Sequence, residues 1–216
     1  MSSSAFPQAA TIEQLRQNIA TIRARIDQAC LAAGRDPSSV RLLPVSKTHS
    51  SEYLRLAYAA GCRMLGENKV QEAHQKWQEL DDLTDLEWSV IGHLQTNKAK
   101  YVARFASEFH ALDSLRLAQA LDQRLTIEDR YLDVLVQINT SGEESKYGIN
   151  PDQAPELIAQ LAQFSRLRVR GLMTLAMNST DREAVRGYFV QLLELRDKLQ
   201  AEAPEGMQLT ELSMGM

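Results

Sequence analysis

The rhythm of hydrophobic positions changes once along this chain, near Asp36-Pro37. Before that point Ile12, Leu15, Ile19, Ile22 and Ile26 recur at alternating steps of three and four, drawing one apolar stripe along a helix over 11–33. Thr11 and Gln14 have the spacing of a capping box, and Gly34 supplies the stop. The stripe is short for a coiled-coil seam, and packing against a sheet accounts for it.

Beyond Pro37, short apolar runs alternate with helical patterns. Strands are predicted at 41–46, 63–66, 88–91, 108–112, 132–138, 168–175 and 208–212. Helices are predicted at 51–60, 69–80, 97–106, 115–125, 152–163 and 182–201. The helix at 69–80 carries Val70, Ala73, Trp77 and Leu80 on one face, with Asn68 placed to cap it. Asn150-Pro151 is a cap followed by proline at the first helical position. Repeated βα units with short connections make a parallel sheet, doubly wound or closed as a barrel. No Gly-x-Gly-x-x-Gly follows the first strand, which disfavours a dinucleotide fold. A barrel takes eight strands and seven are legible, the pattern stopping at Ser213-Met214-Gly215-Met216. Either the sheet is open or the sequence lacks its last βα unit; of the two, the expected fold is an α/β, (β/α)8 TIM-type barrel missing that unit, with an extra N-terminal helix. Residues 1–10 are expected to form a mobile tail and 11–216 a single domain.

Composition narrows the partners. Twenty-four Lys and Arg against 28 Asp and Glu give a net charge of −4, which provides no basic footprint for nucleic acid or an acidic membrane surface. The apolar runs are too short to span a bilayer, and the N-terminus lacks a basic region followed by an apolar core. Cys30 and Cys62 have no metal-ligand spacing, and reduced, buried thiols in a cytoplasmic protein are expected.

Candidate chemistry collects where the predicted strands end. Lys47 closes the run Leu42-Leu43-Pro44-Val45-Ser46. An amine buried in an apolar mouth loses protonation and becomes nucleophilic toward aldehydes, so a buried, reactive lysine is expected, the plain alternative being a surface lysine that happens to follow a strand. Asn68, His93, Asp113, Asn139 and Met173 follow or close other strands. Plain alternatives stand beside them: helix capping for Asn68, Asp113 and Ser114, a backbone hydrogen bond for His93, and core packing for Met173. Glu143-Glu144-Ser145-Lys146 is a solvated loop. Ser213, Met214 and Gly215, read as a turn after the seventh strand, can offer backbone N–H groups to a phosphate. Barrels of this kind commonly hold phosphate after strands seven and eight. An aldehyde for Lys47 and a phosphate for the seventh loop suit pyridoxal 5′-phosphate, and equally a sugar phosphate in a cofactor-free Schiff-base aldolase.

Several motifs occur in order from Leu42 onward: Leu43-Pro44-Val45-Ser46-Lys47-Thr48, Gly66-Glu67-Asn68-Lys69-Val70-Gln71-Glu72-Ala73, Ile91-Gly92-His93-Leu94-Gln95-Thr96-Asn97-Lys98, Asn139-Thr140-Ser141-Gly142, Gly171-Leu172-Met173-Thr174 and Leu212-Ser213-Met214-Gly215-Met216. Together they resemble the pyridoxal-phosphate homeostasis proteins, the YggS/PROSC family. The resemblance implies a fold-type III barrel like the N-terminal domain of alanine racemase, with the cofactor held as an internal aldimine on Lys47. It also implies that Ser213 and the Met214-Gly215 turn hold the phosphate, and that Asn68, His93 and Met173 surround the ring. Members continue into an eighth strand with an Arg-x-Gly-Thr-like segment, which does not occur in this sequence. The implied role is a cytosolic monomer without robust turnover that delivers pyridoxal phosphate to apoenzymes and balances vitamin B6 and amino-acid pools. No catalytic residue and no metal ligand is assigned. The alternative is a pyridoxal-phosphate-dependent racemase-like enzyme, which needs a second base.

Overall fold

The computed structural model describes residues 9–143 and 147–215. Most of the expected tail, and 144–146 of the charge-rich loop, lie outside the described residues. Packing divides the chain into two units. One runs to Gly66 and includes Lys76–Glu87; the other comprises Glu67–Gln75 and Trp88 onward.

In the first unit, α1 (Ile12–Ala32) starts as its capping box predicts. Gln14 N donates to Thr11 Oγ1 at 3.2 Å, and Gln14 Oε1 accepts from Ala10 N at 2.7 Å. Gly34, at φ 65°, supplies the left-handed residue past its end. The stripe packs differently from expectation. Its isoleucines are half-buried, Cys30 alone is buried, and α1 lies against α2 (Ser51–Ala59) and the 3₁₀ turn Pro37–Ser39. Two arginines on α1 fix that docking: Arg16 donates to Ala59 O at 2.9 Å and Arg23 to Pro37 O at 2.7 Å. The expected strand at 41–46 shrinks to one parallel bridge, Val45 to Gly66. Pro44 explains this. It accepts from Gly66 N at 2.8 Å but has no N–H to return to the ladder.

The second unit holds most of a parallel sheet with strands in chain order: β1 (Met64–Glu67), β2 (Glu87–Val90), β3 (Glu108–Leu112), β4 (Leu132–Gln137), β5 (Leu167–Leu175) and β6 (Glu211–Gly215). Helices α3 (Val70–Glu79), α4 (Ala99–Phe105), α5 (Leu115–Ile127), α6 (Ala154–Leu161) and α7 (Arg182–Glu202) connect successive strands. From β2 to β6 each strand is parallel to the next, because a helix returns the chain to its starting end. Trp88, Phe109, Leu112, Leu121, Leu125, Leu132 and Ile138 are among the most deeply buried side chains. Ser114 caps α5 and Asn150 caps the turn Pro151–Gln153, as read.

The last strand starts three residues later than expected. Leu209 is buried but lies outside the sheet, whereas Ser213 pairs with Met173, Met214 with Thr174 and Gly215 with Leu175. Those three residues are thus strand, not a turn after it. Gly171 permits this pairing. A Cβ there would stand 1.8 Å from Glu211 O, so any side chain would push β6 away from β5.

Candidate functional site

Lys47 sits in a pinned turn. His49 N donates to Ser46 O at 3.2 Å, which makes Lys47 and Thr48 the two central residues. Thr48 has φ 69°, a value a type II turn reserves for glycine and a β-branched residue adopts only at a cost of about 1–3 kcal/mol. The turn is held from both sides. Ser46 N donates to Gly66 O at 2.9 Å, and Lys76 Nζ, buried on α3, donates to Ser46 O at 2.9 Å. The expectation of a buried Lys47 is corrected: the residue is exposed, because the bridge ends at Val45 and Val45 is itself 44% exposed. Among the described residues, no hydrogen bond or ion pair engages Lys47 Nζ.

Asn68 is not the cap of α3. Ala73 N bonds Lys69 O at 2.9 Å, which puts Lys69 in the cap position and Asn68 one residue earlier. Gly92, beyond β2, lies close against Asn68, and a Cβ on it would come 2.2 Å from Asn68 O. The ends of β1 and β2 approach each other at the smallest separation a glycine allows.

Among the described residues, His93 bonds no backbone carbonyl. Its ring stacks on Tyr147 at 4.1 Å with 8° between planes, and its Nδ1 lies 3.4 Å from Asp113 Oδ2. Ser114 does the capping, which frees Asp113 to face the imidazole. Asn139 organises its own loop, accepting from Gly142 N at 3.2 Å and donating to Glu143 O at 2.8 Å. Met173 is buried in β5.

A further polar cluster was missed in the sequence. His110, 2% exposed, brings Nε2 to 2.9 Å from Glu108 Oε2 and 3.1 Å from Ser89 Oγ. Its Nδ1 lies 3.1 Å from Ser213 Oγ. The signal was present: Glu108 and His110 alternate with Phe109 and Ala111, so both point to one face of an otherwise apolar strand. Ser213, His110 and Glu108 are brought together by β3 and β6, as are His93 and Asp113 by the ends of β2 and β3. Among the described residues no three His, Cys, Asp or Glu gather as a metal ion would require, and no helix is long and apolar enough to cross a membrane.

The model of the alanine racemase N-terminal domain family matches residues 11–215. A protein of Pseudomonas aeruginosa named pyridoxal phosphate homeostasis protein is 42% identical over 202 residues, covering 94% of this chain and 85% of that protein. One of the same name from Aquifex aeolicus is 40% identical over 200 residues, covering 93% and 86%. This chain belongs to the pyridoxal phosphate homeostasis protein family. Among solved structures, PipY of Synechococcus elongatus without PLP superposes with a TM-score of 0.84 at 36% identity, covering 94% of this chain and 89% of PipY. PipY with PLP bound gives 0.80 at 34% identity, covering 93% and 88%. Alanine racemase from Streptomyces coelicolor, 13% identical with a TM-score of 0.64 over 94% of this chain and 52% of its own, shares the fold. The fold is thus alanine-racemase-like, with a parallel sheet of six strands.

Proposed function

We propose that this chain binds pyridoxal 5′-phosphate and serves to hold and deliver it. Lys47 Nζ would be the covalent attachment point, Ser213, Met214 and Gly215 would hold the phosphate, and Asn68, His93 and Met173 would lie about the ring. When bound, the cofactor supplies an aldehyde and an electron-withdrawing ring that condense with amines. The residues of the chain supply the rest. The turn that Lys76 and Gly66 hold presents the Lys47 amine, which no hydrogen bond or ion pair engages among the described residues, and that is the observation that carries the reading. The family name of the relatives and the PLP-bound PipY support it. On this reading residues 11–216 act as one cofactor-binding domain within an eight-stranded barrel of fold type III, a cytoplasmic monomer with pyridoxal-phosphate-dependent apoenzymes as recipients in vitamin B6 and amino-acid homeostasis.

The test is the visible spectrum of the protein loaded with pyridoxal phosphate, before and after borohydride. Reduction should fix the cofactor to Lys47, as read by mass spectrometry of the peptides. Lys47→Ala should lose the visible band, while transfer of cofactor from wild type restores activity to an added apoenzyme. A band that persists in Lys47→Ala assigns the attachment elsewhere.

A second reading, an amino-acid racemase-like enzyme, draws on the His93–Asp113 pair, an imidazole oriented by a carboxylate as in acid–base catalysis. Chiral chromatography separates the two. Sustained turnover on the order of ~10 per second that His93→Ala abolishes favours the enzyme; loading and transfer without turnover favour the carrier.

A further inference from the structure

The imidazole of His93 is held on two sides. The Tyr147 ring lies against one face, with centroids 4.1 Å apart and 8° between planes, and Asp113 Oδ2 stands 3.4 Å from Nδ1 at the edge. His93 itself sits between β2 and the 3₁₀ turn Thr96–Lys98, outside any helix or strand. A side chain on such a connection has several staggered rotamers open to it, so neighbours must choose among them.

Tyr147 can make that choice because its backbone is tied to the sheet independently of its ring. Gln137, buried in β4, donates Nε2 to Tyr147 O at 3.3 Å. Two residues further on, Ile149 N donates to Gln137 O at 2.9 Å and Asn139 N donates to Ile149 O at 2.8 Å, closing the parallel bridge of Ile138 with Ile149. Gly148 joins the two ties at φ 110°, and a Cβ on it would come 2.8 Å from Asn139 N. The ring gains little from burial, since Tyr147 is 59% exposed. A large aromatic left mostly in water, on an anchored backbone and flat against an imidazole, contributes orientation more than buried area.

We propose that Tyr147 is a positioning residue of the pyridoxal-phosphate site that acts through His93, fixing the plane of the imidazole before the ligand arrives. Tyr147 sets the face of the ring and Asp113 its Nδ1 edge, which leaves the Nε2 edge and the opposite face for the ligand. A stacked ring pair favours its arrangement over unstacked ones by about 2- to 12-fold. Without the Tyr147 ring, the binding-ready orientation of His93 falls by that factor, and the apparent affinity falls with it. The inference rests on the pyridoxal-phosphate reading of His93.

The experiment uses the full chain and 4′-deoxypyridoxine 5′-phosphate, which keeps the ring and phosphate but has no aldehyde for Lys47. Calorimetry compares wild type, Tyr147→Ala and Tyr147→Phe. The alanine variant keeps the backbone carbonyl that Gln137 holds and loses only the ring, so it should bind about 2- to 12-fold more weakly; the phenylalanine variant should bind as wild type does. A second reading is taken on free protein. The chain has four histidines, so ¹³C-histidine labelling resolves each ring, with His93 assigned by its loss in His93→Gln. The His93 ring protons should be shifted upfield by the aromatic ring current in wild type and Tyr147→Phe, and should return to ordinary positions in Tyr147→Ala. Unweakened binding by Tyr147→Ala, once that shift is lost, overturns the positioning role and leaves the cofactor reading standing. Tyr147→Phe binding as weakly as the alanine variant, or no ring-current shift in wild type, also overturns it. Absence of binding by wild type overturns the cofactor reading, and this inference with it, whatever the His93 signal shows.

Discussion

Two glycine-to-alanine changes should move stability in opposite directions, for reasons visible in the backbone. Gly92 sits where the ends of β1 and β2 nearly touch. A Cβ there would lie 2.2 Å from Asn68 O and 2.9 Å from both Asn68 C and Cα. Ordinary contact starts near 3.4 Å, so the carbonyl of Asn68 would have to retreat by about 1.2 Å. All three atoms are backbone, and no rotamer change can relieve them. Overpacking of this kind costs about 1–3 kcal/mol. Gly187 lies exposed inside α7 with nothing within 4 Å of its would-be Cβ. There alanine removes backbone freedom from the unfolded chain and should stabilise by about 0.5–1 kcal/mol. Urea unfolding followed by the fluorescence of the buried Trp88 reads both. With a slope of about 2 kcal/mol per molar, the Gly92→Ala midpoint should fall by about 0.5–1.5 M and that of Gly187→Ala should rise by about 0.3–0.5 M. Gly92→Ala should also bind pyridoxal phosphate less tightly than Gly187→Ala, because Asn68 moves. A Gly92→Ala midpoint equal to wild type would refute the close approach on which the argument depends.

Two further predictions follow from single side chains. Lys76→Met removes the donor from Ser46 O and should cost about 1–3 kcal/mol, with slower attachment of pyridoxal phosphate at Lys47; an unchanged urea midpoint and attachment rate would exclude that hold on the turn. His74, edge-on to Tyr101 and Phe105, has its pKa lowered from the ordinary 6.5, first by burial and then by the positive charge of Arg104. Below 6.5 the unfolded chain takes up a proton that the folded chain declines, so this contribution is full above 6.5 and is lost as pH falls through the folded value. His74→Gln should flatten stability against pH on the acid side of 6.5; parallel curves for variant and wild type would contradict it.

Local signals in the sequence were sufficient for whatever depends on neighbours along the chain. The capping box at Thr11, the stop at Gly34, the caps at Ser114 and Asn150 and the alternation of strand and helix all depend on residues within a few positions of one another. Strand β3 was read to its ends, because Glu108–Leu112 is bounded by helices on both sides. What the sequence misjudged was set by partners far along the chain. Whether 41–46 is a strand depended on what Pro44 could return to Gly66, and the start of β6 depended on where β5 offered partners. The exposure of Lys47 followed from the same missing ladder. His110 and Ser213 stand 103 positions apart, and no periodicity connects them; the fold of β3 and β6 into one sheet makes them a pair. Local hydrogen bonding and apolar rhythm wrote the elements into this chain. Which polar atoms face each other was decided only when the sheet assembled, because a buried hydrogen-bonding group takes its partner from whatever strand the topology sets beside it.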